Sequence, residues 1–224
     1  MAGVTEAQKL FARVLARQAL SDDTYEVEIE RPPEFSFVPG QGVRIFWSDL
    51  VREYTVTSSP ADDRLALVVQ IVEKGRFSSH LASLEVGSIV SFTGPHGYFT
   101  FQSGSRPAVF VATGTGIAPF VSMARAGITG FTLLQGARHS EGLHYRSVFE
   151  PAAARYVACL SEDRSGSPDQ PWIYEGRVTD FLEKELVPGV YDFYLCGRRA
   201  MVRDVMSIAD DRFSGSRVFF EIFF

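Results

Sequence analysis

An all-β half followed by an α/β half, divided near residue 104, is the architecture this sequence predicts. Up to about residue 101 the chain runs in short apolar alternations broken by turn residues such as SDD, PPEF, PGQG and PADD. Period-two alternation with turns at this spacing marks strands, and many short strands with few helices make a sandwich or a small closed barrel. After SGSRP (103–107) the texture changes to continuous apolar runs that alternate with helical stretches. That pattern implies right-handed crossovers and a doubly wound parallel sheet. A length of 224 residues accommodates both halves.

In the first half, strands are expected at 9–18, 24–30, 42–47, 53–58, 64–72 and 88–93, with one short helix over FSSHLASL (77–84). Leu10, Phe11, Val14 and Leu15 also fit a helical face, so the strand reading of 9–18 rests on the strands that follow it. In the second half AVFVAT (108–113) reads as a strand covered on both faces, and APFVSMARA (118–126) as the helix after it. Strand FTLLQGA (131–137) precedes a helical stretch near 145–150, and YVACLS (156–161) precedes the helix VTDFLEKEL (178–186). DFYLCG (192–197) leads into the helix AMVRDVMSIADD (200–211), and VFFEIFF (218–224) reads as a final apolar strand.

Composition narrows the function. A net charge of −5 argues against general nucleic-acid binding, which needs clustered Lys and Arg. Two cysteines, Cys159 and Cys196, provide no disulfide framework, zinc site or iron–sulfur ligand set. His139 and His144 have no carboxylate or cysteine at ligand spacing, so no metal site is expected, and no serine sits in a nucleophile elbow. The N-terminal stretch lacks an apolar run long enough for a signal peptide or membrane span. The chain reads as soluble and cytoplasmic.

Five stretches carry candidate chemistry. In REYTVTSSP (52–60), alternation puts Arg52, Tyr54 and Val56 on one face. A cation beside a flat aromatic is either an exposed strand edge or half of a site for a flat, phosphate-bearing ligand. In KGRFSSHL (74–81), Ser78 is a plausible helix N-cap. That stretch is either a capped helix or a pyrophosphate seat with Arg76 beside it. ATGTGIAPF (112–120) ends the first strand of the second half, where open α/β sheets bind ligands. Gly114 and Gly116 permit close backbone approach there, and the following helix offers free N–H groups. This is not the GxGxxG fingerprint, and Pro119-Phe120 adds an apolar wall. In YLCGRRAM (194–201), Cys196 stands at the carboxyl end of a strand, whereas Cys159 reads as a small hydrophobe. In the terminal strand, Glu221 is a lone carboxylate that is costly to bury unless paired or used.

Taken in order, Arg-x-Tyr-Thr (52–55) with Ser58-Ser59-Pro60, Gly-x-x-Ser-x-x-Leu (75–81), GPHGYF (94–99), GTGIAPF (114–120), Cys196-Gly197 and F-E-x-F (220–223) resemble the ferredoxin–NADP reductase family over almost the whole chain. The resemblance implies an antiparallel six-stranded flavin-binding β-barrel (1–103) and an α/β pyridine-nucleotide-binding domain (104–224). It implies that Arg52 holds a flavin phosphate, Tyr54 lies against the isoalloxazine ring and Thr55 hydrogen-bonds near its N5. Alternation sets Thr55 on the opposite face from Tyr54, so that role needs strand twist or a backbone contact. Gly75, Arg76, Phe77, Ser78 and Ser79 would bind the pyrophosphate of FAD, with Glu53 and Val72 in the same flavin-binding set. Gly114, Thr115, Gly116 and Pro119 would seat the nicotinamide nucleotide, with Arg138, Ser161, Glu162, Gly197 and Arg198 as further contacts. Cys196 and Glu221 would flank the place where nicotinamide C4 meets flavin N5, and Phe223 or Phe224 would cover the outer face of the flavin.

The implied activity is hydride transfer from NADH or NADPH to FAD, then single-electron delivery to a separate carrier such as a ferredoxin or an oxygenase component. Family members that use NADPH tend to carry Ser-Arg where this chain has Ser161-Glu162. An acidic residue there would repel a 2′-phosphate, which favours NADH, although Arg138 and Arg164 stand close in sequence. Arg198-Arg199 replace the proline that often follows Cys-Gly in the family. Two rival readings are a reductase that uses free flavin as a diffusing substrate and a non-catalytic flavin- or nucleotide-binding subunit of a larger redox complex.

Overall fold

The computed structural model describes residues 9–163 and 170–223. The chain divides into two compact units between Thr100 and Phe101. In the first unit, β1 (Leu10–Ala19), β2 (Thr24–Glu30), β3 (Gly42–Trp47), β4 (Leu50–Thr55), β5 (Arg64–Gln70) and β6 (Ile89–His96) form an antiparallel sheet in the order β4-β3-β6-β1-β2-β5. The outermost strands meet. Val56, just past β4, bridges Leu67 of β5, and the Thr57 amide donates to the Ala66 carbonyl at 2.8 Å. Closure removes the exposed edges, so the small barrel forms and not the sandwich.

Val14, Val27, Ile29, Val43, Ile45, Val56, Leu65, Leu67 and Phe92 fill its interior. Strand β5 departs from alternation, with Leu65 through Val69 all buried. Leu65, Leu67 and Val69 face the core that α1 (Arg76–Ala82) joins through Phe77 and Leu81, while Ala66 and Val68 are buried on the opposite face of the strand. The sequence places the fourth strand at 53–58, but β4 begins at Leu50 and ends at Thr55. A two-residue turn at Ser48-Asp49, with Ser48 at φ 54, joins Trp47 directly to Leu50. That turn lacks the Asn-Gly or Asp-Gly signature by which such hairpins are read. The strand reading of the first segment holds over Leu10–Ala19.

In the second unit β7 (Ala108–Thr113), β8 (Thr132–Ala137), β9 (Arg155–Leu160), β10 (Ile173–Glu175), β11 (Asp192–Arg198) and β12 (Arg217–Phe223) are all parallel, in the order β10-β9-β8-β7-β11-β12. Helices α2 (Ala118–Arg125), α3 (Arg146–Phe149), α4 (Val178–Lys184) and α5 (Arg199–Arg212) connect them. Strand β10 went unpredicted, since three residues carry no periodicity. The continuous apolar run of β7 serves two cores. Val109 and Val111 pack with Phe181, Val202 and Val205, while Phe110 stacks on Phe120 at 4.6 Å and on Phe131 at 4.4 Å. The chain moves from β7 outward through β8, β9 and β10, then returns to β11 and β12 on the other side of β7. Strand order therefore reverses between β7 and β11, and in open α/β sheets ligands bind beyond the carboxyl ends at such a reversal. No described helix is long and apolar enough to cross a membrane.

Candidate functional site

In the first unit, antiparallel pairing sets Val43 opposite Tyr54 and Arg44 opposite Glu53. Glu53 is thereby committed to an exposed ion pair with Arg44 at 2.5 Å. Tyr54 stacks on Phe77 of α1 with centroids 6.2 Å apart and planes at 23°, and the Arg52 guanidinium lies 6.0 Å from the same ring. Burial pushes the Tyr54 phenol up to about 12, with Arg52 pulling weakly the other way, so the ring is neutral. Arg52 donates to the Val51 carbonyl at 2.8 Å, and Arg76 lies 5.8 Å from the Trp47 ring. Among the described residues no carboxylate lies within 4 Å of either guanidinium.

The start of α1 differs from the N-cap expectation. Gly75 is the N-cap and Ser78 is the third residue of the helix. Ser78 is buried, and its Oγ accepts from the Val72 amide at 3.0 Å, while Ser79 Oγ donates to the Gly75 carbonyl at 2.8 Å. Both hydroxyls thus pin the 72–75 turn. Gly75 is required there by close approach, because a β-carbon would sit 2.9 Å from the Val72 carbonyl oxygen. No side chain caps the helix and no acidic residue stands in its first turn, so free N–H groups and a positive dipole end remain. Two guanidiniums without carboxylate partners, an uncapped helix start and a neutral half-buried tyrosine ring fit the phosphates and flat ring of a flavin dinucleotide. Val72 is 61% exposed beside them. Thr55 is buried at the end of β4, and regular pairing stops right after it.

In the second unit the glycine turn after β7 is a 3-10 turn, Gly114–Ile117, leading into α2 with buried Pro119 in its first turn. Gly114 adopts φ 56, where a side chain is strained. Gly116 and Gly197 interlock across the switch point. A β-carbon on Gly116 would overlap the Cys196 carbonyl, and one on Gly197 would overlap the Thr113 hydroxyl. Thr113 Oγ1 accepts from the Arg198 amide at 3.2 Å and ties the two loops together. Thr113 was missed by the sequence reading, where it looked like the end of an apolar strand. Cys196 pairs with Ala112 on one side and Glu221 on the other. Its thiol is fully buried, and burial first, then the Glu221 carboxylate, hold it well above the usual thiol range. It is a neutral thiol, not a thiolate. Arg198 and Arg199 are exposed at the start of α5, Phe223 lies opposite Arg198 in the strand register, and Thr115 is half-buried. Phe224 and Arg164 lie outside the described residues.

The carboxyl ends of β8 and β9 bring Arg138, Ser161 and Glu162 together. The Ser161 amide donates to the Ala137 carbonyl at 3.1 Å, and the Glu162 and Asp163 amides donate to the Arg138 carbonyl at 3.0 and 3.2 Å. Arg138 Nε lies 3.5 Å from Glu162 Oε1. His139, for which spacing along the chain offered no carboxylate, also meets Glu162, at 3.4 Å, and Asp163, at 3.9 Å. Both residues sit across a parallel crossover, where linear spacing carries no signal.

Comparison with known proteins accords with this geometry. A model of the oxidoreductase FAD-binding domain matches residues 12–101, and one of the oxidoreductase NAD-binding domain matches residues 110–207. The ferredoxin–NADP reductase B of Sorangium cellulosum is 33% identical, across 91% of this chain and 92% of its own length. The toluate 1,2-dioxygenase electron transfer component of Pseudomonas putida is 34% identical across 83% of this chain, and the propane 2-monooxygenase reductase component of Mycolicibacterium goodii 29% across 91%. The matches span 59% and 64% of those two relatives' own lengths. Among solved structures, a ferredoxin NADP+ reductase from Neisseria gonorrhoeae with bound FAD and NADP superimposes with a TM-score of 0.82 at 21% identity, over 98% of this chain and all of that one. The Amycolatopsis cytochrome P450 reductase GcoB gives 0.83 at 27% identity, over 96% of this chain and 70% of that one.

Proposed function

The chain belongs to the ferredoxin–NADP reductase family of FAD- and NAD(P)-binding oxidoreductases, and on that premise we propose that it takes electrons from NADH and delivers them to a separate protein carrier. FAD, when bound, supplies acceptance of an electron pair from the nicotinamide and its release one electron at a time. The chain's own residues bind and position. Arg52 and Arg76 hold the flavin pyrophosphate as charge-assisted donors, together with the uncapped start of α1. Tyr54 presents a neutral ring to the isoalloxazine, and Thr55 donates near its N5. Gly114, Thr115, Gly116, Pro119 and Gly197 admit the nicotinamide nucleotide to the backbone at the reversal of strand order. Cys196 as a neutral thiol and Glu221 as its strand neighbour stand toward the nicotinamide ring.

The observation that carries this reading is the interlock of Gly116 with Cys196 and of Gly197 with Thr113 at that reversal, where open α/β sheets hold their ligands. The choice of NADH rests on Glu162, whose carboxylate opposes a 2′-phosphate and suits a ribose hydroxyl. The choice of carrier, a ferredoxin or an oxygenase component, rests on relatives named as electron transfer or reductase components.

Rapid mixing of the yellow holoprotein with NADH or NADPH tests the proposal. Bleaching of the flavin by NADH, with kcat/KM at least tenfold above that for NADPH, is the expected result (about 1.4 kcal/mol of discrimination). A clear NADPH preference would overturn the nucleotide choice, and no bleaching by either would overturn the catalytic reading.

A further inference from the structure

Trp47 has no part in the function proposed above, yet it touches the residues that carry it. It ends β3, where pairing with Leu50 across the Ser48-Asp49 turn fixes its backbone. Its half-buried ring packs against the barrel core, and α1 brings three side chains to that one ring. His80 stacks on it with centroids 4.0 Å apart and planes at 11°, and Phe77 meets it edge-on at 6.2 Å and 78°. The exposed Arg76 guanidinium lies over it, 5.8 Å from the centroid. Arg76 and His80 are four residues apart and so share one face of the helix. Phe77 carries the cluster onward, since it stacks on Tyr54 and lies beneath Arg52.

We propose that Trp47 is a positioning residue for the flavin pyrophosphate: it holds the Arg76 guanidinium over its ring, so that the cation is already placed when FAD arrives. The proposal rests on the reading that Arg76 binds that phosphate. Ordering a long exposed side chain costs rotamer entropy, and a surface already in contact with it offsets that cost before the ligand binds. The kind of surface matters. A carboxylate would hold the guanidinium by cancelling its charge, and the phosphate would have to displace it. The face of an indole attracts a cation through its quadrupole and leaves the net charge in place. The stacked His80 ring and the edge-on Phe77 ring fix the orientation of that face. A contact of this type at an exposed site is worth about two- to fivefold in an equilibrium constant.

A double-mutant cycle on FAD affinity tests this. Holoprotein of the wild type, Trp47→Leu, Arg76→Ala and the double variant is diluted, and the dissociation constant is read from the fluorescence of released flavin. Trp47→Leu is expected to weaken FAD about two- to fivefold when Arg76 is present, and to have no further effect in Arg76→Ala. Trp47→Phe, which keeps a smaller ring, should lose less than Trp47→Leu. An equal loss from Trp47→Leu in both backgrounds would make Trp47 a packing residue alone and overturn the proposal, as would full FAD affinity in Trp47→Leu. Where Arg76→Ala still weakens FAD, only the tryptophan proposal then fails. If Trp47→Leu does not fold, the coupling of Trp47→Phe to Arg76→Ala decides by the same criterion. If Arg76→Ala binds FAD as tightly as wild type, Arg76 does not hold the pyrophosphate, and that reading falls together with this one.

Discussion

Gly116 lies so close under the backbone of Cys196 that a β-carbon on it would overlap the Cys196 carbonyl oxygen. The contact joins the turn after β7 to the end of β11, the two strands between which the order of the sheet reverses. The obstruction is backbone, which cannot rotate aside as a flexible side chain would. Gly116→Ala is therefore expected to cost about 1–3 kcal/mol by overpacking and to push the two loops apart. Its kcat/KM for NADH should fall at least tenfold while bound FAD stays near one per chain. Unchanged kinetics would show that the nucleotide does not use this cradle.

Arg52 has no carboxylate within 4 Å among the described residues and sits over Phe77 beside Tyr54. Losing a charge-assisted hydrogen bond to a phosphate costs about 1.5–3 kcal/mol. Arg52→Ala should therefore bind FAD roughly ten- to a hundredfold more weakly and purify with less yellow colour. Arg52→Lys should recover part of that affinity, since lysine keeps the charge and loses the fork. Full flavin retention in Arg52→Ala would remove Arg52 from the phosphate site.

Asp192 anchors the base of β11 to Arg217 of β12, with Nε at 2.8 Å, and also faces Arg106 at 3.6 Å. Hydrogen bonding from Arg217 holds its carboxyl below the usual range, against the opposing effect of burial. A folded-state pKa below the unfolded value contributes stability that is present above about pH 4 and is lost as the pH falls through the folded value. Asp192→Asn should lower the denaturation midpoint at pH 7 and narrow its gap to wild type at strongly acid pH. Removing the carboxylate outright in Asp192→Ala should lower the midpoint at pH 7 at least as far, because Arg217 and Arg106 lose the same partner. A pH-independent difference between Asp192→Asn and wild type would contradict this.

Both cysteines are buried, and burial pushes each thiol up. The thiolate is the reactive form, so at pH 8 the native protein should react with a disulfide reagent roughly a hundredfold more slowly than the unfolded chain. Rapid labelling of Cys196 in the native state would contradict its place as an enclosed neutral thiol.

Much of the fold is legible because each half uses one periodicity. Barrel strands such as β2, with Val27 and Ile29 buried, alternate, and the two-faced burial of β7 leaves the continuous run AVFVAT. What the sequence hides is short or non-local. Strand β10 has only three residues, and the start of β4 depends on a turn at Ser48 without glycine. Ser78 looks like a cap because a serine precedes an apolar helix, yet its hydroxyl is turned back to the Val72 amide.

The sequence by itself determined the two classes of sheet, the pairing of Arg52 with Tyr54 on one strand, and the glycines at the ends of β7 and β11. Those follow from local rules, namely side-chain alternation and the small backbone of glycine. Only the tertiary structure decided that Phe77 meets both Arg52 and Tyr54, that Gly116 rests on Cys196, and that His139 and Arg138 share Glu162. Each of those contacts joins residues far apart in the chain, and closure of the barrel and right-handed parallel crossovers, not sequence spacing, bring them within reach.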